Sequence, residues 1–141
     1  MKNTLADTDQ RPVRPFRIGT TSFIYPDHIL PNLQKLGRFF DEIELLVFES
    51  RPDHVVPSEQ QVAEFSAVAQ ALDFTCNVHL PTDISLCHPS AEARQEAADT
   101  YMRVIERFEP LGPATHTLHL ELPVISPMEK PLDDVVKHWR D

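Results

Sequence analysis

Four short runs of the chain carry apolar side chains in the manner of strands: Arg17 to Ile24 (RIGTTSFI), Glu42 to Phe48 (EIELLVF), Phe74 to Leu80 (FTCNVHL) and Thr115 to Leu122 (THTLHLEL). Each is followed by a stretch whose apolar residues recur at intervals of three and four, the period of a helix. After the first run come Ile29, Leu33, Leu36 and Phe40, with Pro31 early enough to fall in an opening turn and Gly37 to Asp41 marking the stop. After the second, Ser58 and Gln61 stand at capping-box spacing ahead of Val62, Phe65, Val68 or Ala69, and Leu72. After the third, a helix opens at Ser90, repeats Ala97, Tyr101, Val104 or Ile105, and Phe108, and stops at Gly112 and Pro113. A fourth helix begins around Asp133 and Asp134 and runs to Asp141.

Strand then helix, repeated through the chain, predicts an α/β fold of parallel strands joined by right-handed crossovers. Two architectures answer to that pattern: an open doubly wound sheet, and half of a TIM (βα)8 barrel. Glycine stands only at Gly19, Gly37 and Gly112, so neither GxGxxG nor GxxxxGK[ST] is present to bind a nucleotide phosphate in a doubly wound sheet. A whole barrel takes about 250 residues. The chain has 141 and stops early in its fourth helix. The pattern therefore predicts the first four βα units of a TIM barrel over 17–141, apparently truncated, behind a polar, disordered tail over 1–16.

The strands raise a chemical question. Side chains alternate along a strand, so Thr115, Thr117, His119 and Glu121 share one face and His116, Leu118, Leu120 and Leu122 the other. The third strand repeats the arrangement, with Thr75, Asn77 and His79 opposite Phe74, Cys76, Val78 and Leu80. In α/β folds of either kind the ligand lies at the carboxyl ends of the strands. An isolated inward histidine is more often a hydrogen-bonded core residue. Two at matched depth on adjacent strands, with a carboxylate, are a ligand set for a divalent metal such as Zn, Mn or Fe. His79, His119 and Glu121 are accordingly the expected metal ligands; Glu121 serves only if the strand still runs inward there, since a solvated glutamate needs no cation.

Other candidates surround them. Glu44 has the inward parity of the second strand, whereas Glu49 lies past the strand and nearer the mouth; either one is a candidate catalytic carboxylate. Asp83, in the loop after His79, is positioned by sequence to orient that imidazole. His88 lies in the same loop region, and His28, His54, His116 and His138 read as surface or packing residues. Cys76 falls on an apolar face and Cys87 is a lone loop cysteine with no activating neighbour. No Ser-His-Asp spacing or nucleophile elbow supports acyl transfer.

Composition narrows the partners. With 41% hydrophobic and 25% charged residues the chain reads as a soluble globular protein, and its net charge of -9 disfavours nucleic acid, which needs clustered Lys and Arg. That charge leaves room for a phosphate-bearing small molecule neutralised by a metal. The two cysteines form no CxxC pair, MKNTLADTDQRPVRP has no apolar leader, and no run approaches the roughly 20 apolar residues of a membrane helix. A cytoplasmic protein with no membrane partner is expected.

The segments RIGTTSFIYPDHILPNLQKLG, DEIELLVFES, NVHLPTDISL and LHLELP resemble the cobamide-remodelling phosphodiesterases, a branch of the xylose-isomerase-like barrels that includes the metal-dependent apurinic endonucleases. The likeness runs from Arg17 to Pro123; TTSFIYPDHI and IELLVFES are its specific parts, whereas HLP is common to many barrels. The resemblance implies a barrel mouth that binds divalent metal and a corrinoid substrate. It implies hydrolysis between phosphate and ribose in the nucleotide loop of the cobamide, releasing a cobinamide phosphate and the lower-ligand riboside. His79 and His119 match the histidines that end the third and fourth strands and ligate metal in the superfamily. The superfamily glutamate of the second strand corresponds to Glu44 within IEL, with Glu49 closer to the mouth. The departure from the family is length, since the second half-barrel that supplies further ligands in the superfamily is missing from this sequence. A half-barrel exposes a wide apolar sheet edge and tends to associate, so pairing with a second half, or a homo-oligomer, is expected. A metal-dependent sugar isomerase or epimerase on the same scaffold, and an inactive half-barrel module, are the rival readings.

Overall fold

The computed structural model describes residues 14–51 and 55–120. Four parallel strands, β1 (Gly19–Thr21), β2 (Glu42–Leu46), β3 (Thr75–His79) and β4 (His116–Thr117), lie side by side in chain order. Helices α1 (Ile29–Leu36), α2 (Glu59–Leu72) and α3 (Ala91–Phe108) fill the three crossovers, and a 3-10 turn at Glu109–Leu111 follows α3. An order of 1-2-3-4 without reversal is the arc of a barrel; a doubly wound sheet would change direction at a switch point. The half-barrel expected from the sequence is the fold observed. The expected fourth helix, the end of the fourth strand from Glu121 onward and most of the expected polar tail (1–13) lie outside the described residues.

The strands are shorter than their apolar runs. β4 is the extreme case: the run predicts a strand over Thr115 to Leu122, but Leu118, His119 and Leu120 lie beyond it and are exposed. The cause is its neighbour. β3 ends at His79, and the last rung of the ladder is Leu80 N–H donating to the Thr117 carbonyl at 2.9 Å. Pro81 follows, with no N–H to offer, so nothing continues the pairing.

The two sides of the sheet differ in chemistry. Ile43 and Leu45 of β2, Cys76 and Val78 of β3, and Val47 and Leu80 just past those strands point outward into the helices, where they meet Leu33, Leu36, Val62, Phe65, Tyr101, Val104 and Phe108. Each such side chain contributes about 1.5–3 kcal/mol on full burial. The concave side is polar, and its groups satisfy one another: Asn77 Nδ2 donates to Glu42 Oε1 at 2.7 Å, and the Thr117 hydroxyl donates to Glu44 Oε1 at 2.8 Å. Among the described residues no helix is long and apolar enough to cross a membrane.

Helix ends follow the sequence in part. Ser58 and Gln61 form the expected capping box, with Gln61 N–H donating to Ser58 Oγ at 3.3 Å and Ser58 N–H to Gln61 Oε1 at 2.9 Å. Ser90 caps α3 through Ala93 N–H. α1 has no side-chain cap; instead fully buried Asn32 ties down the loop that enters it. Its Oδ1 accepts from Tyr25 N–H at 2.9 Å, and its Nδ2 donates to the carbonyls of Tyr25, Asp27 and His28 at 3.2, 3.2 and 3.0 Å. α1 closes at Gly37, where a Cβ would sit 2.4 Å from the ring of buried Phe74 and 2.9 Å from the Leu33 carbonyl oxygen.

Gly37→Ala is therefore expected to destabilise the fold by about 1–3 kcal/mol in urea titration, through overpacking rather than a backbone constraint. The Cys76 thiol, pushed up from 9.0 to about 12 by burial and then by the charge of Glu42, stays protonated at pH 8. It is expected to resist alkylation by iodoacetamide in the folded chain and to react once the chain is denatured, as mass spectrometry of the Cys76 peptide will show.

Candidate metal site at the strand mouth

Strand parity brings the candidate site together. His79 closes β3 on the concave side, where its register partner is Thr117 of β4. His119 stands two residues past β4, so the same parity carries it to the side of His79 even though the ladder has ended. The two rings approach with centroids 4.7 Å apart and planes at 70°, and their Nε2 atoms are 3.1 Å apart. His79 Nδ1–H donates to the Leu80 carbonyl at 2.9 Å. A carbonyl only accepts, so Nδ1 holds the proton and a neutral His79 presents its lone pair at Nε2, toward His119.

Two ring nitrogens at that spacing need something positive between them: one proton or one cation. Zn–N bonds of about 2.0–2.1 Å let a pair of imidazole nitrogens 3.1 Å apart share a single ion. The donor chemistry and the spacing both fit a divalent metal, with His79 and His119 as two of its ligands. Among the described residues no third His, Cys, Asp or Glu joins them into a metal-binding group. Glu121, the expected third ligand, lies outside the described residues.

The carboxylates take separate places. Glu44 lines the concave wall one layer beneath His79, opposite Asn77 in the β2–β3 register, half-buried and held by Thr117. Glu49 is exposed beyond the end of β2. Of the two, Glu44 faces the interior. Asp83 requires a correction. It does not orient His79; both its oxygens accept from Ser50 N–H at 2.9 Å, and Oδ2 also accepts from the Ser50 hydroxyl at 3.0 Å. The loop after β3 turns toward the loop after β2 because Thr82 N–H and Oγ1–H both donate to the Phe48 carbonyl, at 3.0 and 3.2 Å. His79 is held by its own neighbour's carbonyl instead. His88 accepts from Ser90 N–H at the start of α3, and His28 precedes α1, both exposed. His54 and His138 lie outside the described residues.

Sequence reasoning passed over several residues that shape the mouth. Tyr101, buried on α3, donates its hydroxyl to the carbonyls of Pro81 and Ile84 at 3.1 and 3.0 Å, which fixes the backbone just after His79. Its apolar spacing was legible, but its hydroxyl partners were not. Asn32 had a visible signal, a polar residue next to Leu33 in an otherwise apolar stripe. Phe48 adjoins the site, its ring 6.4 Å from that of His79, and it meets Phe23 edge to face at 5.8 Å.

Comparison with known proteins bears on the fold. No curated protein matches the chain at a significant level. Among solved structures it is similar to a D-psicose 3-epimerase from Clostridium cellulolyticum H10 with D-tagatose, at 16% identity and a TM-score of 0.66, over 87% of this chain and 44% of the epimerase. A second D-psicose 3-epimerase structure, in the presence of D-fructose, matches at 15% identity and a TM-score of 0.65, with coverages of 87% and 44%. At such identities the likeness is one of fold, and this chain spans less than half the length of those enzymes. The family model described as a xylose isomerase-like TIM barrel matches residues 30–141. With most of its length matched and its parallel strands in barrel order, the chain belongs to the xylose isomerase-like TIM-barrel family.

Proposed function

We propose that this chain supplies the first half of a metal-dependent active site that hydrolyses the phosphodiester in the nucleotide loop of a cobamide, between phosphate and ribose. The observation that carries the reading is the convergence of His79 Nε2 and His119 Nε2, 3.1 Å apart at the carboxyl ends of the strands, where ligands bind in this fold class. The choice of substrate is supported by the resemblance of TTSFIYPDHI and IELLVFES to the cobamide-remodelling phosphodiesterases. Those segments make up β1 and its loop into α1, and β2 with its exit.

His79 and His119 would hold the cation, which supplies charge neutralisation at the phosphodiester and a water acidic enough to ionise near neutral pH. The chain's own residues carry the rest. The Leu80 carbonyl keeps the His79 proton on Nδ1, which points the ring and leaves Nε2 facing His119. Glu44, steadied by the Thr117 hydroxyl, is the carboxylate of the concave wall that takes the proton of the attacking water. The new bond joins the water oxygen to phosphorus, the phosphorus–ribose oxygen bond breaks, and a proton ends on the ribose hydroxyl. Phosphoryl transfer rests chiefly on positioning and neutralisation of charge, so a site without an activated Ser or Cys is sufficient.

One observation favours a second reading. Glu44 on the inner wall also suits a general base acting beside a carbonyl, and the similar solved structures are ketohexose epimerases. The two readings diverge in their product. Metal-loaded protein incubated with a cobamide is expected to release cobinamide phosphate and the lower-ligand riboside, detected by mass spectrometry. Interconversion of D-psicose and D-fructose without any cobamide product would establish the epimerase instead. His79→Ala and His119→Ala are each expected to weaken metal binding by at least about 100-fold, more than the loss of an outer-shell partner. Metal analysis after dialysis checks this, and retention of wild-type metal content in both variants would remove the pair from the site.

A further inference from the structure

Phe23 and Phe48 are exposed at the strand mouth. They are 64% and 45% exposed, while Phe65, Phe74 and Phe108 of the same chain are buried in the core. Each ring forgoes part of the roughly 1.5–3 kcal/mol that full burial of such a side chain returns. Both sit at the strand mouth, Phe23 just after β1 and Phe48 just after β2, and Phe48 adjoins His79. Neighbouring Tyr25 is otherwise engaged, with the Lys35 ammonium 4.9 Å over its ring.

The backbone under both rings is pinned. The loop bearing Phe23 is held by the hydrogen bonds of buried Asn32, by Ser22 N–H on the Glu44 carbonyl at 2.8 Å, and by Leu46 N–H on Ser22 Oγ at 3.1 Å. The Phe48 carbonyl is clamped twice by Thr82, and Ser50, two residues on, is clamped by Asp83. Two anchored loops thus hold two phenyl rings in edge-to-face contact at 88° to each other, a corner whose two rings are both partly open to solvent. A further flat aromatic ring meeting such an exposed pair gains by offset stacking or edge-to-face contact with either phenyl.

We infer that Phe23 and Phe48 are specificity-determining residues that bind the planar heteroaromatic base of the substrate, beside the phosphodiester held at the histidines. The inference rests on the phosphodiesterase reading for the identity of the base. In the nucleotide loop the base is one ribose away from the scissile phosphate, and the corner lies one ring away from His79. A free hexose, covered in hydroxyls, would leave the phenyl faces poorly filled.

The test is calorimetric titration of the full chain with the α-riboside of dimethylbenzimidazole, with D-fructose as the control. Phe23→Ala and Phe48→Ala are each expected to raise the riboside Kd by about tenfold or more, the usual loss when a base-stacking ring is removed. Phe48→Trp keeps the affinity within about threefold, while Phe48→Leu, which keeps apolar bulk without a ring, binds as weakly as the alanine variant. Both rings are exposed, so the variants retain the wild-type circular dichroism spectrum. The inference is overturned if the wild-type chain does not bind the riboside, or if both alanine variants bind it within about twofold of wild type. The second result is also what a corner covered by another barrel segment would give. Failure of the two ideas can be told apart: ring-dependent riboside binding without cleavage of an intact cobamide removes the hydrolase and leaves the corner, whereas cleavage with an unchanged KM in Phe48→Ala does the reverse.

Discussion

Two imidazole nitrogens do not rest 3.1 Å apart with lone pair facing lone pair. The Leu80 carbonyl fixes the His79 proton on the far nitrogen, so the gap toward His119 takes a proton from His119 or a cation shared by both. Everything proposed about chemistry at the strand mouth depends on that constraint. It is created by the parallel ladder, in which the β3–β4 register sets Thr117 beside His79 and strand parity then turns His119 to the same side.

The rest of the structure serves to keep that geometry in place. The outward faces of β2 and β3 are held by the helix layer, with Ile43, Leu45 and Val78 fully buried. The concave faces are free of that packing demand, and their polar groups settle into pairs, Glu42 with Asn77 and Glu44 with Thr117. Above them the loops are tied sideways rather than upward: Asn32 to the loop after β1, Asp83 to Ser50, Thr82 to Phe48, Tyr101 to Pro81 and Ile84. A rigid rim of this kind preorganises ligands at little further entropic cost.

What the sequence revealed and what it hid follow from range. Alternation and helical spacing are local, so the first three βα units, the place of the fourth strand, the Ser58–Gln61 box and the shared face of His79 and His119 were legible. Strand length is not local: the run from Thr115 to Leu122 reads as a strand throughout, yet it pairs only as far as β3 accompanies it. Loop side chains obey no parity, which is why Asp83 was assigned to His79 when its partner is Ser50, 33 residues away. The same limit kept the choice between Glu44 and Glu49 open until the register was known. The aromatic corner escaped notice because Phe23 and Phe48 look like ordinary strand residues, and only their exposure and mutual geometry mark them.

The most direct measurement of the central claim is long-range proton–nitrogen correlation NMR of the histidine rings during titration with Zn2+. The account predicts that the Nε2 resonances of His79 and His119 move together and saturate at one equivalent, while the His79 Nδ1 proton persists on its carbonyl partner. Response of one ring alone, or of the two at different equivalents, would contradict it.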